Sequence, residues 1–85
     1  MNDKQYINRN PMSDIALAQT IGAFIKHHRV VQNRTQEEII NEANISRSTV
    51  SLLEKGEAIT VPNLLQVLRV LDLLYIMDVF KIEVT

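Results

Sequence analysis

Three groups of residues in this chain have types and spacing that could carry chemistry: His27-His28, Glu37-Glu38, and Ser46-Arg47-Ser48-Thr49 with Ser51 and Lys55 behind it. The histidines suggest a metal. Neighbours on a helix diverge by about 100°, however, and no acid cluster completes a ligand set, so they read as surface or packing residues. The glutamates have the types of an acid–base pair, but they directly follow Thr35-Gln36, where they face solvent and cap a helix start. No nucleophile–base pair, glycine-rich phosphate loop or metal spacing is present, so no catalytic residue, metal or cofactor is expected and an enzyme is improbable. The third group differs. An arginine presents a fixed fork of donors that matches the acceptor edge of guanine, and serine hydroxyls are short enough to follow it into a DNA major groove. Such residues at the start of a helix suit a helix that enters the groove end-first.

The overall charge opposes that reading. Nine Lys and Arg stand against ten Asp and Glu, for a net charge of −1. Net charge governs non-specific attraction, whereas a local basic face can still dock on phosphates. The chain has 85 residues, room for one domain with a modest core. A hydrophobic content of 46% supports a globular fold, and two glycines and two prolines suit a mostly helical one. With no cysteine there is neither a disulfide framework nor a thiolate zinc site, and a reducing cytoplasm is the natural setting. Met1–Met12 lacks the apolar run of a signal peptide, and Gln66, Arg69, Asp72 and Asp78 interrupt the one long aliphatic stretch, so no membrane association is expected.

The elements that must position the third group follow from caps and periodicity. Residues 1–12, with Asn10-Pro11, read as a flexible arm. Ser13-Asp14 opens a helix on which Leu17, Ile21, Phe24, Ile25 and His28 recur at helical spacing, with Asn33 as a left-handed stop. Thr35 and Glu38 form a capping box for a second helix that buries Ile39, Ile40 and Ala43, and Asn44 suits a tight turn. Ser46 caps a third helix, ended by Gly56. At about 100° per residue, Val50 and Leu53 share one side of it, while Arg47, Ser48, Ser51, Leu52 and Lys55 spread over about 140° on the other. Thr60 caps a fourth helix with Pro62 in its first turn.

From Leu64 to Phe80 the apolar residues wrap most of the way around, more than one core uses, so a second apolar face needs a partner. Leu73, Ile76, Met77 and Phe80 keep helical spacing and are the expected dimer interface, in a segment of about 70–85 that closes a single domain spanning 13–85. Helix is expected to about Phe80, then a short extended end, with pairing of Ile82–Val84 as an intermolecular strand left open. The chain stops shortly after apolar residues, as a piece of a longer protein would.

Taken together, Arg29, Thr35-Gln36-Glu37-Glu38, Ile45-Ser46-Arg47-Ser48-Thr49-Val50-Ser51 and Leu53-Glu54-Lys55-Gly56 make residues 21–71 resemble the lambda-repressor-like, Xre-type helix-turn-helix family. The resemblance implies an all-α, compact five-helix domain, with the helix-turn-helix at about 36–55 and sequence-specific binding to double-stranded DNA as a homodimer. It assigns Gln36 and Lys55 to phosphates, Arg47 and Ser48 to base edges, and Ser51 and Leu52 to further contacts. Arg29 and Glu54 take the place of a structural ion pair between the first and third helices. The chain departs from the family at Asn33 and Asn44, where glycine is common, at Leu52, often polar, and at Arg34, often apolar, whose side chain could reach a phosphate. The expected function is a cytoplasmic transcriptional regulator of the repressor type. The alternatives are an antitoxin-type module that neutralises a toxin-like protein partner and binds DNA secondarily, and a restriction-modification controller.

Overall fold

The computed structural model describes residues 11, 13–57 and 59–82, so the arm expected at 1–12 lies, apart from Pro11, outside the described residues. Among those described there are five helices and no strand: α1 Asp14–Val31, α2 Gln36–Ala43, α3 Arg47–Glu54, α4 Val61–Val70 and a closing 3₁₀ helix, Leu74–Phe80.

One pair of devices starts and stops the α-helices. Each begins on a hydroxyl that accepts from the third following backbone N–H: Ser13 from Ala16, Thr35 from Glu38, Ser46 from Thr49 and Thr60 from Asn63. Each ends on a left-handed residue, at φ 58° for Asn33, 57° for Asn44, 80° for Gly56 and 63° for Asp72. Beyond each of these the chain bonds back five residues, Arg34 N to Arg29 O, Ile45 N to Ile40 O, Glu57 N to Leu52 O and Leu73 N to Leu68 O, which occupies carbonyls the helix end would leave orphaned. Asn and Asp tolerate the left-handed region because their short side chains bond locally, so three of the four stops need no glycine.

The two glycines have a different use. Gly22 is buried, and a Cβ on it would lie 2.6 Å from the carbonyl oxygens of both Leu53 and Glu54. A Cβ on Gly56 would lie 2.5 Å from Cα of Gln19. Helix α1 therefore crosses the end of α3 backbone against backbone, which fixes the height of α3.

The core is one cluster: Ile25 of α1, Ile39 and Ala43 of α2, Val50 and Leu53 of α3, Val67 and Leu68 of α4, then Leu71 and Leu73. The apolar wrap after Leu64 is resolved by a break. At Asp72 the chain turns, and both Leu71 and Leu73 drop into the core. Leu73 is 4% exposed, which corrects its expected place in a dimer interface; it has no outward surface to share. Ile76 and Met77 lie half-buried against the core, and Phe80 is 72% exposed. The residues expected to end the chain in extended form, Lys81 and Ile82, carry no regular structure, and 83–85 lie outside the described residues. None of the described helices is long and apolar enough to cross a membrane.

Candidate nucleic-acid interface

Helix α3 is held by its inner face. Val50 and Leu53 are each 1% exposed, and Glu54 turns inward beside them to meet Arg29 of α1. Arg29 donates to this carboxylate twice, Nε to Oε2 at 2.6 Å and Nη2 to Oε1 at 3.1 Å, and its Nη1 donates to the carbonyl of Arg34 at 2.9 Å. Gln36 at the start of α2 adds a bond from Nε2 to Glu54 Oε1 at 3.0 Å. One carboxylate thus joins the last turn of α1, the N-terminus of α2 and the end of α3. Burying Glu54 is tolerable because both carboxylate oxygens accept hydrogen bonds, three in all, two of them from the charged Arg29 guanidinium.

The outer face carries what the inner one does not need. Arg47, Ser48 and Lys55 are exposed, and Ser51 and Leu52 are half-buried beside them. With Glu54 turned inward, α3 itself contributes no acid to this face. The cap tightens its leading end, because Ser46 Oγ lies 3.3 Å from Ser48 Oγ and 2.7 Å from Thr49 Oγ1. Gln36 meets the other end of α3 through Glu54, so Gln36, Arg47, Ser48 and Lys55 all lie on the α2–α3 unit.

Arg34 departs from its expected phosphate role. Its guanidinium pairs with Glu42 at 2.6 Å and Glu38 at 3.7 Å, donates to the carbonyl of Val70 at 3.3 Å, and its side chain is only 22% exposed. With Gln32, whose Nε2 donates to Leu71 O at 2.8 Å, it ties the end of α1 to the end of α4. Arg34 is thus engaged within the fold and not presented to a phosphate.

Two features went unread in the sequence. Glu37, a solvated residue by its sequence pattern, reaches from α2 to α3, its Oε1 2.6 Å from Nη2 of Arg47. Gly22 gave no sign of the backbone crossing it permits. The only signal for the first was a pair of opposite charges in the leading turns of consecutive helices, which becomes a contact once the angle between those helices is known. Among the described residues no group of three or more His, Cys, Asp or Glu is placed to hold a metal.

A comparison with protein families finds that the model described as "Helix-turn-helix" matches residues 25–74, more than half of the 85. The chain belongs to the lambda-repressor-like helix-turn-helix family. No curated protein matches it. Within a helix-turn-helix domain, α2 and α3 are the two helices of the motif and Asn44-Ile45-Ser46 is the turn between them. Membership makes this a DNA-binding domain, of a family that is not typically enzymatic.

Proposed function

We propose that this helix-turn-helix chain is a sequence-specific regulator of transcription that binds double-stranded DNA as a homodimer, each copy placing α3 in the major groove. The observation that carries the reading is the division of α3 itself: an inner face locked by Val50, Leu53 and the Arg29–Glu54 pair, and an outer face of exposed Arg47, Ser48 and Lys55. A reading helix must be rigid in its mount and polar where it meets base edges. Arg47 reads guanine, Ser48 a neighbouring edge, and Ser51 and Leu52 flank them, the leucine against a thymine methyl or the backbone. Gln36 holds a phosphate with the second hydrogen of the amide nitrogen that Glu54 already orients, and Lys55 holds another; such contacts set register and carry no sequence information.

The homodimer answers the low charge. At a net charge of −1 a single copy has little phosphate attraction, whereas two copies on half-sites about 34 Å apart double the contacts for one association. Support for pairing comes from Tyr75, Val79, Phe80 and Ile82, each at least 64% exposed, beside an apolar groove of about 310 Å³ between α1, α4 and the 3₁₀ helix. Of the expected interface, Ile76, Met77 and Phe80 line that groove and Leu73 does not. The same exposed surface favours the second reading, an antitoxin-type module whose apolar end covers a protein partner.

Selection of bound duplexes from a random pool, followed by anisotropy on the selected site, tests the function. We expect a two-fold-symmetric site, and for Arg47→Ala a loss of about 1–3 kcal/mol of discrimination at one base pair per half-site with the fold intact. If Arg47→Ala selects the same base there, the assignment of the reader is wrong. Light scattering that shows a monomer at micromolar concentration removes the homodimer and leaves the protein-partner reading.

A further inference from the structure

We propose that Glu37 is a positioning residue for Arg47, holding its guanidinium in the free chain and in the DNA complex so that it presents one ready-made edge to guanine. This rests on the reading of α3 as the groove-entering helix. The contact joins two helices: Glu37 lies in the first turn of α2, Arg47 in the first turn of α3, and Oε1 stands 2.6 Å from Nη2. An arginine of 71% exposed side chain is otherwise free to swing among many rotamers and onto either DNA strand's phosphates.

Donor arithmetic makes the pair compatible with reading. A guanidinium has five N–H donors and two edges able to fork onto guanine, one formed by Nε and Nη2 and one by Nη1 and Nη2. Nη2 contributes one hydrogen to each. Glu37 engages Nη2 through one oxygen, so whichever hydrogen it takes, the other edge keeps both donors. The arginine can therefore bind guanine without leaving the glutamate. Both partners are exposed, Glu37 at 53%, so the restraint is of the size of a surface ion pair, about two- to fivefold in an equilibrium constant. That is enough to bias an arginine between a guanine edge and a neighbouring phosphate, and far too little to hold the fold.

Glu37→Gln tests this against the duplex that wild type selects, against that duplex with its Arg47-read guanine replaced, and against a scrambled duplex of equal length. We expect the preference for guanine to fall about two- to fivefold while affinity for the scrambled duplex stays level or rises. In an Arg47→Ala background, Glu37→Gln should leave base preference at that position unmoved. Affinity rising equally on all three duplexes would make Glu37 a mere repulsive charge and overturn the proposal, and so would an unchanged guanine preference. A wild-type chain that selects no sequence would instead overturn the underlying reading of α3. That result is distinct from one in which Arg47→Ala loses the guanine and Glu37→Gln does not.

Discussion

The unit from Thr35 to Gly56 and the segment from Leu71 to Ile82 are built on opposite principles. In the first, polar atoms set the geometry: a capping box at Thr35, a serine cap at Ser46, and a buried carboxylate, Glu54, that three helices share. Its apolar residues other than Leu52 point inward, and the rest of its outer face is polar. In the second, apolar burial sets the geometry. Leu71 and Leu73 enter the core on either side of one turn, the 3₁₀ helix starts without a side-chain cap, and large apolar groups remain outside. The difference teaches where specificity and partnership reside. A polar network has few satisfying arrangements and so fixes the mount of a reading helix. An apolar end is tolerant of arrangement and is completed by whatever covers it.

The sharpest way to break the contrast is at Glu54. Glu54→Ala leaves the mostly buried guanidinium of Arg29, 12% exposed, with no counter-charge, strips Gln36 of its anchor and opens a gap between α1 and α3. Breaking a buried pair from one side costs about 3–5 kcal/mol, a large part of the stability of a domain this small. Urea unfolding should show a midpoint near zero denaturant or no folded baseline. A loss under 1 kcal/mol would mean that packing alone mounts α3.

The next comparison lies within the second region. Leu73→Ala removes a side chain at 4% exposure and should cost about 2–5 kcal/mol, whereas Phe80→Ala, at 72%, should change the stability of a monomer by under about 0.5 kcal/mol. Protein concentration separates the two effects further. If the apolar end pairs two copies, wild-type stability rises with concentration, Leu73→Ala keeps that dependence and Phe80→Ala weakens it. Equal effects of the two substitutions on thermal unfolding of the dilute chain would erase the distinction between core and outer face.

These residues also mark how far the sequence could be read. The four hydroxyl caps, three of the left-handed stops and the burial of Ile25, Ile39, Ala43, Val50 and Leu53 were legible, because each is a local rule of two to four residues or a period on one helix. The α3 face was legible for the same reason. Leu73 was not, because its spacing with Ile76 and Phe80 holds only for an unbroken helix, and the break at Asp72 changes the direction in which every later residue points. Arg34 and Glu37 were missed for a different reason. Their partners sit on other helices, Val70 on α4 and Arg47 on α3, and no periodicity within one helix encodes an angle between two.

A last pair of substitutions tests the turn inside the second region. Asp72 holds φ at 63°, a left-handed region in which aspartate is found more readily than alanine. Asp72→Ala should therefore cost about 1 kcal/mol, and Asp72→Gly should cost little or nothing, since glycine reaches the left-handed region without strain. Calorimetry on the two variants decides between two accounts of the break after α4. If only alanine destabilises, the turn itself sets the break, and the 3₁₀ helix follows from it. If both variants match wild type, the pull of Leu71 and Leu73 into the core is what bends the chain, and Asp72 merely accepts the conformation imposed on it. The second result would extend the apolar rule of the C-terminal region to the turn itself, a left-handed stop that helical spacing concealed.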